Sequence, residues 1–510
     1  MAMEKFRKAA VLVFCALISI LLASCTSERG VTEPSDNDTY ISNDYAEEAD
    51  EYDNEEAAVQ IVFTGEPVRR EDLYWPEGRD RDWEEDIRHF AAMALRHHPL
   101  LIGYDELRLD ARRIEGRASE NYSEFAYNVL LKRTAAKNGI LTDDLAAITE
   151  RLREIILEKT NALIIDIPNL SDYEVVFSLS EIAAILGDGH TRIAFAFEDS
   201  AVFPVSIIAL DGRAYLTGVP KEFENALYSE LLSINNIPID EVIEGLARII
   251  PHENEYNLRQ MYIPRALTEK ELLIFINVVS DSGVAEFTVR DISGEIFDIT
   301  LQGMNREVID AMEFVYHFHD TLMHARPGEL FWHEYFPDDN IMYVRIWRFF
   351  REPADNAAIA ALRAELRDWP ENEDIEKFII DLRHNIGGFT TWPFGEDFLF
   401  LADRVNSLYV IIDGISYSQS VIVASNLKYH MDNLTIIGEP AGQPENFLSG
   451  DQRAFLPNSR LGFQVSNAMS VQSNTADTAL RPDIFIPLTI DDVINQRDPV
   501  LEYILAGQVD

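Results

Sequence analysis

Between Ile341 and Gly438, short apolar runs alternate with stretches of helical pattern, and no other feature limits the fold as much. The runs are Ile341–Ile346, Phe378–Leu382, Leu408–Ile412 and Leu434–Gly438; the spacers are Ala357–Leu366, Phe394–Ala402 and Ser420–Lys428. Strand-helix-strand spacing of this kind implies right-handed crossovers and a largely parallel sheet. Ligands of such a sheet bind outside the carboxyl ends of its strands.

Two of those ends carry unusual residues. After Leu408–Ile412 the chain breaks at Asp413-Gly414 and runs through Ser416, Ser418 and Ser420 into a helix. Strand, tight turn, serine and helix is one way a hydrolase exposes a nucleophile. The helix start adds unpaired N–H groups and the positive end of a dipole. A serine there is equally a common N-cap, and the stretch alone does not choose. After the preceding strand, Lys377–Gly388 reads K-F-I-I-D-L-R-H-N-I-G-G. Its paired glycines let backbone N–H groups turn toward a cavity, or simply make a strand-end turn.

Together, D-L-R-H-N-I-G-G and G-I-S-Y-S-Q-S-V-I-V-A resemble the tail-specific (C-terminal processing) serine protease family. Gly438-Glu439 and the ending R-P-D-I-F-I-P-L-T, followed by D-P-V-L-E-Y-I-L, resemble its later elements in the same order. The resemblance implies a mixed α/β chain with Ser418 as nucleophile. It gives the backbone N–H groups of Gly388 and Gln419 as the oxyanion hole, with Gly387 shaping the turn. Asp381, Arg383 and Asn385 would pin that turn.

The family's usual base is a lysine at the position held here by Gln443, and no lysine follows Lys428. Lys428 itself lies about 15 Å along the helix from Ser418. These departures point to histidine. Asp188-Gly189-His190-Thr191 resembles the histidine site of the tricorn-like branch, which makes His190 the expected base. The same branch puts the orienting acid at Asp477, for which an Asx turn is the plainer reading. Glu439 and Asp188 are the runners-up, with Glu439 expected to hold the turns around the site. His317, His319, His324 and His333 cluster, but without the companions of a metal motif. No metal or cofactor is expected.

The rest of the chain divides by pattern. Residues 1–25 form a targeting segment: Lys5, Arg7 and Lys8, then an apolar run, then Leu22-Ala23-Ser24-Cys25. That ending resembles the lipobox of bacterial lipoproteins, which implies lipidation of Cys25, export and a membrane tether in the cell envelope. A plain secretory signal or a single anchor are the other readings. Residues 26–60 form an acidic linker, with twelve acidic residues and one basic between Glu28 and Glu56. Residues 61–198 have helical periodicity, with a capping box expected at Asp82–Glu85. Residues 199–305 are strand-rich, with strands expected at Leu272–Val279, Ala285–Asp291 and Ile296–Leu301. Leu231–Ile239 resembles a strand and turn of a PDZ domain, without the usual carboxylate-binding loop. The protease core is 306–510.

A net charge of -45 disfavours nucleic acid and anionic membrane surfaces as partners. Cys15 and Cys25 are the only cysteines, so a chain cleaved before Cys25 has no internal disulfide. Two functional readings follow: a membrane-anchored serine endopeptidase acting on peptides or unfolded tails, or a silent relative that binds a peptide or apolar ligand. The distance from His190 to Ser418 separates them. Oligomeric state is left open.

Overall fold

The computed structural model of the chain describes residues 77–506, apart from 110–112, 117, 194–199, 318–320, 325, 327–328, 350–356, 358–359, 363, 366–374, 389–404 and 451. The targeting segment with Cys25, the acidic linker, His319, the Phe394–Ala402 helix and part of Ala357–Leu366 therefore lie outside the described residues.

The organising element is a six-stranded sheet in the order Phe331–Phe336, Ile341–Ile346, Ile375–Asp381, Val405–Ile412, Leu434–Gly438 and Ile484–Phe485. The first pair is antiparallel and the other four are parallel. The inner strands are mainly apolar toward their carboxyl ends, where both faces are covered. One face sets Val344, Phe378, Ile380, Val410 and Ile436 against Val421, Ala424 and Leu427 of the helix Gln419–His430. The other sets Tyr343, Ile379, Tyr409 and Ile411 against Val500, Leu501 and Ile504 of the C-terminal helix Pro499–Leu505. Because side chains alternate along a strand, Tyr409 and Val410 serve opposite layers. The result is mixed α/β, as the alternation predicts.

The N-terminal part is helical: Arg79–His97, Ser119–Lys137, Leu145–Asp166 and Asp172–Ala184. The expected capping box at Asp82 is not formed. The helix starts earlier, at Gly78, and Asp82 lies buried inside it. In this part a capping box is formed by Ser171 with Glu174, opening Asp172–Ala184. Between this part and the core lies an antiparallel sheet built on Ser206–Leu210, Arg213–Pro220, Glu230–Ile234, Val284–Arg290 and Ile296–Gln302. Its first hairpin turns at Asp211-Gly212, both with positive φ. The strand expected at Leu272–Val279 is instead the short helix Lys270–Phe275, with Leu272 and Leu273 buried. A short apolar run does not distinguish strand from buried helix. Among the described residues no helix is long and apolar enough to cross a membrane.

Two connections bring distant segments to the core. The strand Arg192–Ile193, which follows Asp188–Thr191, pairs with Gly462–Val465: Phe463 opposes Ile193, and Gln464 opposes Arg192. Asn254, in the loop after the helix Ile239–Ala247, donates from Nδ2 to the carbonyls of Ala441 and Thr478. The first connection delivers His190 and the second delivers Glu253.

Candidate active site

The strand Val405–Ile412 ends at Asp413, whose carboxylate organises the following turn. Its Oδ1 accepts from Ile415 N–H (3.0 Å), Ser416 N–H (2.9 Å) and His384 N–H (3.0 Å). Ser416 is buried, and its hydroxyl donates to the Leu382 carbonyl at 2.8 Å. Ser420 is likewise buried. Ser418 lies between them with φ 56° and ψ -119°, a backbone state that side-chain-bearing residues adopt only under constraint. It stands immediately before the helix Gln419–His430, yet its side chain makes no capping hydrogen bond. The hydroxyl instead lies 3.2 Å from His190 Nε2. The N-cap reading of Ser418 is therefore replaced by a serine facing an imidazole.

Gly387 explains how the two turns fit together. A Cβ there would stand 2.6 Å from Ser418 Cβ and 2.8 Å from Gln419 N, and its φ is 89°. Its own N–H donates to Asn385 Oδ1 at 2.8 Å. Asn385 Nδ2 donates to the Ile346 carbonyl, and its carbonyl accepts from Tyr417 N–H. Among the described residues, the N–H groups of Gln419 and Gly388 donate to no protein acceptor. Gln419 follows Ser418 in the chain, and Gly388 follows Gly387, which packs against Ser418.

Asp381 and Arg383 anchor the same turn from below. Asp381 accepts from Tyr343 Oη at 2.7 Å and from Arg383 Nη2 at 2.6 Å, and Arg383 reaches on to Asp498 at 2.8 Å. Burial alone would push the Asp381 carboxyl up. The guanidinium groups of Arg383 and Arg345 outweigh burial and hold it below the usual carboxylate range.

His190 is fixed from its own backbone. Asp188 Oδ1 accepts from His190 N–H (2.8 Å), Thr191 N–H (2.7 Å) and Ser466 Oγ (2.8 Å), while Oδ2 meets His98 Nε2 at 2.9 Å. Burial would raise the Asp188 carboxyl, but the bonds and charge of His98 and the other donors bring it down to about 2. Asp188 thus builds the turn, through backbone N–H groups and not through a hydrogen bond to the His190 ring. The imidazole stacks on Tyr417 (4.9 Å between centroids) and Phe447 (5.9 Å).

The carboxylate behind the ring is Glu253, whose Oε1 is 3.6 Å from His190 Nδ1, with a side chain 3% exposed. Asp477 is not brought there. It lies exposed, and its backbone carbonyl accepts from Arg133. The residues after the helix Ile239–Ala247 fold inward instead. Glu253 carries no motif in P-H-E-N-E-Y-N, so no spacing rule points to it. The Gln443 amide completes the group: its Oε1 accepts from Ser418 N–H at 2.6 Å, and its Nε2 donates to Glu253 Oε1 at 2.9 Å. Asp188, His190 and Glu253 offer ligand atoms within 4.8 Å of one another, but each is already engaged by protein partners.

Glu439 sits elsewhere, beside Asp413. Burial first, then the Asp413 charge, push its carboxyl up to about 7, against a hydrogen bond from Gln260. Gln260, whose Oε1 accepts from Gly414 N–H at 2.9 Å, links Glu439 to the turn that Asp413 also braces. The unfolded chain ionises this group near 4.5 and the folded chain near 7. Below the first value it costs nothing. Between the two the native state holds the extra proton, so stability falls as pH rises. Glu439→Gln should therefore match the parent near pH 4 and exceed it by about 3 kcal/mol above pH 8. Urea titrations at the two pH values measure this; equal gaps at both would refute it.

Lys428 pairs with Asp483 at 3.1 Å, on the outer side of its helix. His317 bonds Tyr228, His324 bonds Thr321 and His333 bonds Glu365, so these three serve separate local contacts.

Comparison with solved structures covers most of the chain. Mature CPAF matches with a TM-score of 0.53 at 12% identity, over 84% of this chain and 96% of its own. The fold resembles that of mature CPAF. CPAF complexed with lactacystin matches at a TM-score of 0.50 and 12% identity, over 84% and 97% of the two chains. The photosystem II D1 C-terminal processing protease matches at a TM-score of 0.35 and 11% identity, over 79% and 93%. No family model matches the sequence, and no curated protein matches it. The likeness to CPAF is therefore one of fold.

Proposed function

We propose that this protein is a serine endopeptidase that hydrolyses peptide bonds in peptides or unfolded protein tails. One observation carries the reading: Ser418 Oγ, on a strained turn and free of any cap, lies 3.2 Å from His190 Nε2. A serine hydroxyl needs a base, and the imidazole is in place to take its proton and return it to the leaving amine. Glu253 stands behind Nδ1 to balance the imidazolium. The N–H groups of Gly388 and Gln419, without an acceptor among the described residues, suit the oxyanion of a tetrahedral intermediate. The fold shared with CPAF supports the same reading, and lactacystin, the ligand of one CPAF structure, is a candidate for this cleft.

The test is cleavage of casein by the purified protein, with loss of cleavage after fluorophosphonate treatment. A folded protein inert toward both would defeat the proposal. We also read the chain as exported and held at a bacterial membrane through Cys25. Growth with labelled palmitate should tag it, and Cys25→Ser should abolish the tag; a tag surviving that change would remove the anchor. The strand-rich segment 199–305 is read as a PDZ-like insert, which here also contributes Glu253.

A further inference from the structure

His190 and Glu253 are bridged by a third side chain. Tyr417 precedes Ser418 in sequence and turns its ring inward, 5% exposed. Its Oη lies 2.9 Å from His190 Nδ1 and 3.1 Å from Glu253 Oε1. The direct separation of Nδ1 and Oε1 is longer, 3.6 Å. We propose that Tyr417 is a positioning residue: its hydroxyl links imidazole to carboxylate and fixes His190 with the proton on Nδ1. The proposal rests on the serine peptidase reading for its role, though not for its geometry.

The hydrogens can be counted. A phenol offers one proton and can also accept. Glu253 Oε1 accepts from Gly189 N–H at 3.2 Å and Gln443 Nε2 at 2.9 Å, and the Tyr417 hydroxyl is its third donor. With its proton committed there, Oη can only accept from the histidine. The donor at 2.9 Å is then Nδ1–H. Nε2 is left bare toward Ser418, the state that can receive the serine proton. With the hydroxyl reversed toward Nδ1, Nε2 would carry the proton and could not act as base.

In the reaction the Ser418 proton moves to Nε2, and Oγ bonds the substrate carbonyl carbon. The Nδ1–H stays on Oη, and Tyr417 loses nothing. Burial, helped by the charge of Glu253, keeps its hydroxyl far above the ordinary phenol range. Gly189 makes room for the bridge: a Cβ there would stand 2.7 Å from Tyr417 Oη. Closeness, rather than backbone conformation, therefore calls for glycine at this position.

The test uses the full chain labelled with ¹⁵N-histidine, with His190→Gln to assign the signal. Ring-nitrogen spectra above the imidazole titration should show the Nδ1–H tautomer of His190. Tyr417→Phe should shift it toward Nε2–H and lower kcat about 10–100-fold with little change in KM. Gly189→Ala, which displaces the hydroxyl without removing it, should shift the tautomer the same way. An unchanged tautomer and kcat in Tyr417→Phe would overturn the proposal. An Nδ1–H tautomer that Tyr417→Phe removes, in a protein that never cleaves casein, would uphold the bridge and defeat the peptidase reading instead.

Discussion

Ser418→Ala is expected to remove hydrolysis, by about six decades in turnover, with almost no change in the melting temperature. The two halves of this expectation have separate causes. The hydroxyl is the atom facing His190 Nε2 and makes no capping bond, so its removal takes away chemistry and little packing. The backbone strain at φ 56° is unchanged, because alanine meets the same steric limit as serine. Ser418→Gly separates the two effects. It should be as inactive as the alanine variant and more stable, by about 1 kcal/mol, since glycine tolerates positive φ. Initial rates on casein and thermal melts of both variants measure this. Activity surviving in Ser418→Ala would move the nucleophile elsewhere.

Glu253→Gln is expected to lower turnover by about three to four decades while the fold is retained. The carboxylate is the acceptor on which Tyr417, Gln443 and Gly189 converge, so it sets the direction of every proton behind the imidazole. An amide can donate as well as accept, and the preference for Nδ1–H is then lost. It also brings no negative charge to meet the imidazolium formed in the transition state. Asp477→Asn should leave turnover within about twofold, because an exposed side chain away from the ring adds little. The reverse pattern, with Asp477→Asn inactive and Glu253→Gln active, would return the acid to Asp477.

The sheet was legible because buried parallel strands are written as unbroken apolar runs. Leu434–Gly438 and the end of Leu408–Ile412 read directly. Ser418, Gly387 and Asn385 lie within a few residues of those strand ends, so local spacing was enough to single them out. His190 required a motif, D-G-H-T, whose aspartate ties the turn through His190 N–H and Thr191 N–H. Glu253 was not legible. It reaches the site by the docking of a loop through Asn254 onto Ala441 and Thr478, a tertiary event with no local signature. Tyr417 was overlooked because an aromatic beside a serine reads as core. Its hydroxyl acquires meaning only when a histidine and a glutamate arrive from two other segments. Lys270–Phe275 failed for a simpler reason: its apolar residues suit a buried helix as well as a strand.

The most direct measurement is peptide mapping of the wild-type protein after reaction with a fluorophosphonate. A serine activated by His190 predicts one adduct, on the Ser418 hydroxyl, and none after His190→Ala. An adduct on Ser416 or Ser420, or the same adduct formed as fast without His190, would contradict it.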